Sequence, residues 1–188
     1  MNTGTIILLV SVVWLGSEIA LARMKRSQPA DAQLDKSSMR TLWITILVSV
    51  TLGVFIGFQR IGHFELGPRL FPIAGITLII CGLFVRWFAI VSLKHQFTVD
   101  VSIRENHRMI KEGIYRFVRH PAYAGSLLSF FGLGFCFSNY LSVLIISVPI
   151  CVAFLHRVRI EEEALIHAFG REYLDYRAST RRFIPGIY

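Results

Sequence analysis

A chain of 188 residues that is 54% hydrophobic and only 17% charged, with a mean hydropathy of +0.56, is too apolar for a water-soluble domain. Its apolar residues fall in long blocks, which reads as an integral membrane protein. The formal net charge of +8 sits beside those blocks and forms no stripe with interleaved aromatics, so nucleic acid is not expected and the excess is assigned to topology and lipid headgroups.

The first block, residues 4–22, is long enough to cross a hydrocarbon core of ~30 Å at ~1.5 Å per residue. No basic segment precedes it and no small-residue cleavage pattern follows, so a retained span is expected rather than a signal peptide. A basic loop, residues 23–40, contains a Pro29-Ala30-Asp31 turn and leads to a second span, residues 41–58, in which Gly53 and Gly57 have the spacing for close helix packing. A short connection precedes a third span, residues 70–93, with Pro72 placed in its first turn. The longest polar segment, residues 94–121, follows, and its period-two alternation over residues 97–103 predicts an extended strand-like stretch. Two short apolar runs, residues 122–137 and 140–155, are separated only by Ser138 and Asn139 and read as a tight helical hairpin. Each run of sixteen residues reaches only ~24 Å as a helix, which suggests a lateral opening to the bilayer beside the hairpin. In the tail, residues 161–182, Leu165, Phe169, Tyr173 and Tyr176 recur at helical spacing and predict one amphipathic helix. Cys81, Cys136 and Cys151 lie inside apolar blocks without metal or disulfide spacing and are expected to be small buried hydrophobes.

The fold class is therefore all-α: about five transmembrane helices and a cytoplasmic amphipathic C-terminal helix. We read residues 1–188 as a single membrane domain, with 1–69 a variable two-span part and 70–188 the part bearing the site. With five spans, one side of the membrane holds Arg60 and Arg69 and the other holds seventeen Lys and Arg residues. Positive charge marks the cytoplasmic side, so the N-terminus is expected outside and the C-terminus in the cytoplasm.

Two polar stretches then share the cytoplasmic face. In Arg119-His120-Pro121, proline suits the first helical turn, which sets Arg119 and His120 at a positive helix end, either as a site or as a headgroup anchor. Arg157 and Glu161 share a helix face, whereas Glu161, Glu162 and Glu163 diverge by about 100° per residue. One or two of these carboxylates must face inward, where a cationic group is a natural partner. Glu18 and Arg86 are intramembrane charges that either serve a function, snorkel to the interface or pair with each other. Gly132 and Gly134 sit in an apolar helix and read as packing residues. Dinucleotide, P-loop, zinc-protease and nucleophile-elbow sequences are absent.

Several motifs occur in a fixed order: Gly82-xxx-Arg86-xx-Ala89, His107-x-Met109-Ile110-xx-Gly113-Ile114-Tyr115, Arg119-His120-Pro121-x-Tyr123-x-Gly125, Arg157-Val158-xx-Glu161-Glu162-xx-Leu165, Phe169-Gly170-x-Glu172-Tyr173-xx-Tyr176 and Ile184-Pro185-Gly186. Together they resemble the isoprenylcysteine carboxyl methyltransferase family over residues 82–188, in what looks like a minimal, prokaryotic-type member. The resemblance implies a membrane methyltransferase using S-adenosylmethionine without metal, with S-adenosylhomocysteine as product. Its cofactor pocket would comprise His107, Ile110, Lys111, Gly113, Ile114, Tyr115, Arg119, His120, Tyr123, Glu161 and Glu162, and its catalytic residues Arg157, Glu161 and Glu162. The acceptor would be a lipophilic or lipid-anchored molecule taken from the bilayer, whose carboxylate Arg157 orients. Phospholipid amine methylation is the first alternative; a sterol reductase-like enzyme and a non-enzymatic scaffold are the others.

Overall fold

A computed structural model of the chain describes residues 3–24, 36–59, 61–64, 69–93 and 109–184. These contain six α-helices, α1 (Thr3–Met24), α2 (Lys36–Gly57), α3 (Leu70–Leu93), α4 (Pro121–Cys136), α5 (Tyr140–Phe169) and α6 (Arg171–Ser179), with a 3-10 turn, Gly113–Arg116, ahead of α4. Among the described residues there is no strand, only isolated bridges that pair His63 with Asn139 and Val118 with Arg181. The Pro29-Ala30-Asp31 turn and the extended stretch at 97–103 lie outside the described residues.

Helices α2, α3 and α5 are each long and apolar enough to cross a membrane, while the apolar stretch Thr5–Leu21 of α1 and all of α4 are shorter. Large hydrophobic side chains such as Leu8, Val12, Leu47, Phe55 and Phe84 point outward. Apolar surface of that extent suits a bundle solvated by lipid.

The hairpin is present, but only its first helix is short. Helix α5 runs for 30 residues, through Arg157 and the three glutamates to Phe169. Charged residues end an apolar run without ending a helix, because Arg and Glu are good helix formers and here their polar groups find partners. The expected single amphipathic tail helix is correspondingly divided between the end of α5 and the whole of α6. The break falls at Gly170, whose φ of +53° is in the left-handed region that glycine adopts at little cost.

Asn139 fixes the hairpin tip. Its Oδ1 accepts from the N–H groups of Leu141 and Ser142 at 2.9 and 3.1 Å, capping α5. Its Nδ2 donates to the carbonyls of Ile56 and Ile61 at 3.2 and 2.8 Å, which ties the tip to the end of α2. At the opposite end of the bundle, contacts among Glu18, Ser38, Arg86, Ala122, Tyr123, Arg157 and Glu161 gather α1 to α5.

Helices α3 and α4 approach most closely, along a seam of small residues. A Cβ on Gly82 would lie 2.5 Å from the Gly125 carbonyl, and one on Gly132 would lie 2.6 Å from the Gly75 carbonyl. Ser129, between them on α4, donates to the Ile79 carbonyl at 3.3 Å. Backbones in such contact gain dispersion and polar packing that lipid tails cannot match. Gly53, Gly57 and Gly134 are also at close contacts, against Ile146, Phe137 and Val143. Of the cysteines, only Cys136 is buried; Cys151 is half-buried and Cys81 is exposed on the outer face of α3.

This seam makes a direct prediction. The Gly82→Ala substitution should destabilise the detergent-solubilised protein by ~1–3 kcal/mol, the usual cost of overpacking. Gly16→Ala, which meets nothing within 4 Å, should be neutral. Thermal unfolding of both variants checks this; equal midpoints would exclude the seam as a determinant of stability.

Candidate active site

The site begins where the chain enters α4. Pro121 occupies the first turn of that helix and leaves His120 as its N-cap. Ahead of it, the Arg119 and His120 N–H groups donate to the carbonyls of Arg181 and Arg182 at 2.8 and 3.0 Å, and the Arg181 N–H returns a bond to the Phe117 carbonyl at 3.2 Å. The C-terminal segment thus pairs like a short strand with the entry to α4 and carries Arg182 into the site.

Glu162 of α5 is the centre of this arrangement and is only 2% exposed. It accepts from Arg119 Nε at 3.1 Å and from Arg182 Nη2 at 2.7 Å, while His120 Nε2 lies 3.4 Å from the same carboxylate. Arg119 also donates through Nη1 to the carbonyls of Arg177 and Thr180. One buried carboxylate therefore joins α5, the α4 entry and the C-terminal segment.

Its neighbour Glu161 has a different environment, with a side chain 30% exposed. Tyr123 donates to Glu161 Oε2 at 2.8 Å and accepts from Arg157 Nε at 3.1 Å, so the phenol bridges the two charged residues. Arg157 Nη1 donates to Ser38 of α2 at 3.1 Å. Glu163 and Arg159 are exposed. The three adjacent glutamates thus separate, as helical rotation requires, into one facing a cavity, one buried in a charge knot and one facing outward.

The cavity has a volume of about 1020 Å³. Arg86, Tyr115, Arg119, His120, Tyr123, Arg157, Glu161, Tyr173 and Tyr176 give it a polar end, and Trp14, Leu42, Ile46, Val50, Phe130, Leu133 and Phe154 line its apolar length. It lies between α1, α2 and the α4–α5 hairpin; a pair of short helices is not what creates it. Tyr176 donates to the Tyr115 carbonyl at 2.6 Å, and Tyr115 to the Ala89 carbonyl at 3.3 Å, which binds α6 and the 3-10 turn to α3. Burial pushes the Tyr176 phenol up to about 12 and raises that of Tyr173 as well, so both are neutral hydroxyl groups at physiological pH. Among the described residues, the buried Tyr173 hydroxyl has no hydrogen-bond partner.

Most of the expected site residues come together. Ile110, Tyr115, Arg119, His120, Tyr123, Arg157 and Glu161 line the cavity, and Glu162 braces Arg119 and His120 from behind. Ile114 packs instead in a small apolar cluster with Leu21 and Ala89. Lys111 pairs with Glu172 of α6 at 2.8 Å, and Gly113, with φ +61°, makes the turn into the 3-10 helix. His107 lies outside the described residues. The sequence reading did not place Tyr173 and Tyr176 in the pocket, although their spacing in the tail was a signal. It also left Glu18 and Arg86 without a role; they are paired, with Arg86 Nη2 donating to Glu18 Oε2 at 2.6 Å, and both line the cavity. Met109, which belongs to the motif that begins at His107, lines it too, as does Ala164, to which nothing in the local sequence pointed. Among the described residues, no three His, Cys, Asp or Glu side chains converge as a metal centre needs.

Residues 75–167 match the isoprenylcysteine carboxyl methyltransferase (ICMT) family. The chain is 34% identical over 115 residues to protein-S-isoprenylcysteine O-methyltransferase B of Arabidopsis thaliana, covering 60% of this chain and 58% of the relative. It is 31% identical over 130 residues to the protein-S-isoprenylcysteine O-methyltransferase of Saccharomyces cerevisiae, covering 68% and 54%. Its fold is similar to a solved structure of the eukaryotic intramembrane Ras methyltransferase ICMT, with a TM-score of 0.58 and 25% identity over 80% of this chain and 51% of that one. The chain thus spans a little over half the length of the curated relatives it matches. In its ordered motifs, its fold and the match through α3, α4 and most of α5, the chain is similar to the isoprenylcysteine carboxyl methyltransferase family.

Proposed function

We propose that the chain is a membrane-embedded methyltransferase that uses S-adenosylmethionine to methylate the carboxylate of a lipophilic, isoprenylcysteine-like acceptor. The observation that carries this reading is a continuous cavity with a carboxylate, phenols and arginines at one end and an apolar lining along the rest. Such a chamber suits a polar donor meeting an acceptor whose tail is a hydrocarbon. The matched relatives are named for transfer to protein-S-isoprenylcysteine.

The residues present fit the cofactor. Glu161 offers a partly exposed carboxylate to an ammonium or hydroxyl group, and the buried Tyr173 hydroxyl lines the same cavity without a partner among the described residues. Bound there, S-adenosylmethionine supplies an electrophilic methyl group on a sulfonium, whose transfer depends on in-line alignment. Arg119, His120, Tyr115, Tyr123 and Glu161 form the walls that orient it, and Ile110 adds an apolar contact. Glu162 acts one layer behind, holding Arg119 and Arg182 in register. Arg157 steadies the Tyr123 hydroxyl and hence the Glu161 carboxylate, through bonds of 3.1 and 2.8 Å. The apolar length of the cavity keeps water from the reacting groups. An acceptor carboxylate is already ionised at neutral pH, so no side chain has to remove a proton from it.

For the membrane arrangement, we infer five crossings by α1 to α5, with the site end of the bundle in the cytoplasm and the N-terminus outside. The division of seventeen Lys and Arg residues against two supports this orientation. Residues 1–69 and 70–188 act as parts of one domain, because Glu18 and Ser38 from the first bond to Arg86 and Arg157 in the second.

Three outcomes are expected. In calorimetry with S-adenosylhomocysteine, Glu161→Gln should weaken binding about tenfold, the scale of one charge-assisted hydrogen bond. Its unfolding midpoint should stay unchanged, whereas Glu162→Gln should lower the midpoint by stripping two arginines of their counter-charge; wild-type affinity in the first variant would remove Glu161 from the pocket. With an S-prenylcysteine acid as acceptor, methyl transfer should be flat with pH through neutrality. A steep rise with pH, together with preference for an ethanolamine lipid, would indicate amine methylation instead. For orientation, Ser138→Cys and Ser179→Cys in a background without native cysteines should be labelled by impermeant reagent in intact cells at position 138 only. Labelling at position 179 alone would invert the arrangement.

A further inference from the structure

The cavity has a direction. From its polar end it follows one face of α4, where Tyr123, Ser126, Phe130, Leu133 and Phe137 line it at alternating steps of three and four residues. On the facing helix α2, Leu42, Ile46, Val50, Val54 and Phe58 line it at steps of four. Two such stripes make a straight groove, and from Tyr123 to Phe137 it runs ~21 Å at ~1.5 Å per residue. An extended geranylgeranyl chain nearly matches that depth, and one further isoprene unit exceeds it.

The far end of the groove, at the hairpin tip, is closed. The Phe58 and Phe137 rings meet edge to face with centroids 5.6 Å apart, and both line the cavity. Gly57 lets the Phe137 ring cross to α2, since a Cβ there would lie 2.6 Å from that ring. Behind the rings, the backbone of residues 61–64 is laced to the tip. The Phe64 N–H donates to the Ser138 carbonyl and the Tyr140 N–H to the Gly62 carbonyl, each at 2.8 Å. His63 of that segment is exposed and lines the end of the cavity. A hydrocarbon pushed past the rings would strip water from backbone amides and an imidazole and give them no bond in return. The family match at residues 75–167 covers the stripe on α4 but not the one on α2. One wall of the groove and one ring of its closure are therefore supplied outside the shared region.

We propose that the Phe58–Phe137 pair is a stop that sets the longest acceptor tail the enzyme takes, with Val54 and Leu133 forming the last turn of groove before it. The tail it selects is a linear polyprenyl group of up to geranylgeranyl length, which reaches the rings without having to pass them. A longer tail has to displace the rings or fold back within the groove. This rests on the carboxylate-methylating reading above and names the residues that measure the substrate's hydrocarbon.

The test measures kcat/KM for methyl transfer by the detergent-solubilised full chain to N-acetyl cysteines carrying S-geranyl, S-farnesyl, S-geranylgeranyl or S-geranylfarnesyl tails. Taking the ratio of variant to wild type at each tail length cancels partition of the acceptor into the micelle. In Phe58→Ala and Phe137→Ala that ratio should be about tenfold higher for the longest tail than for the shortest, because the clash with the stop, a cost on the overpacking scale, is relieved. Val54→Phe brings the stop one turn closer, so its ratio should run the other way, about tenfold lower for the geranylgeranyl tail than for the geranyl. Phe58 is largely exposed on its outer face, so its truncation leaves the fold intact even where Phe137→Ala does not. A loss of folded protein would lower the rate by one factor at every tail length. Ratios independent of tail length in both Phe58→Ala and Val54→Phe overturn the stop. If the wild type binds S-adenosylhomocysteine but methylates none of these acids, the carboxylate reading fails and this inference with it.

Discussion

Glu162 is a carboxylate carried by an apolar helix to a place where water cannot reach it. An uncompensated charge in that setting costs several kcal/mol. Two arginines and a histidine surround it, drawn from two other parts of the chain: Arg119 and His120 from the entry to α4, Arg182 from the C-terminal segment. Satisfying this one group therefore forces three segments together. The backbone bonds between residues 117–120 and 181–182 accompany that registration, and α6 is held beside the cavity, where Tyr173 and Tyr176 line it.

The same knot explains why α5 is long. A helix that stopped with its apolar run would leave Arg157, Glu161 and Glu162 on irregular backbone, where their spacing could not direct them to separate partners. Continued as helix, the chain turns Glu161 to the cavity, Glu162 to the knot and Glu163 outward. The division between a binding carboxylate and a bracing one is thus a result of helical rotation applied to three identical side chains in a row.

At the other end the bundle depends on contact without charge. The glycine seam lets α3 and α4 pack backbone to backbone, and Asn139 closes the hairpin by capping α5 and seizing two carbonyls at the end of α2. With α3, α4 and α5 held so closely, α1 and α2 stand against the hairpin with a chamber between them. The rigid half of the molecule and the half that opens a cavity are therefore set by which helix faces carry small residues and which carry Trp14, Leu42 and Val50.

Much of this architecture was legible in the sequence because hydrophobic block length and helical period are local properties. Residues 70–93 were expected as a helix and are one, and Ser138-Asn139 makes the hairpin turn. The charged motifs meet at one end of the bundle, as the alternation of apolar blocks along the chain led us to expect. The division of labour between Glu161 and Glu162 was not legible, since it depends on Tyr123, Arg119 and Arg182, which are distant in sequence. Lys111 and Gly113 stand in the same stretch as Tyr115, yet of the three only Tyr115 lines the cavity: Lys111 is drawn to Glu172 and Gly113 makes the backbone turn. The pairing of Glu18 with Arg86 was one of several open readings, and only the packing of α1 on α3 selected it. Local patterns thus determined which residues form helices and where along the chain the charged motifs fall, while long-range contact alone decided which charges meet, because an ion pair in a low-dielectric bundle is chosen by geometry across helices and not by spacing along the chain.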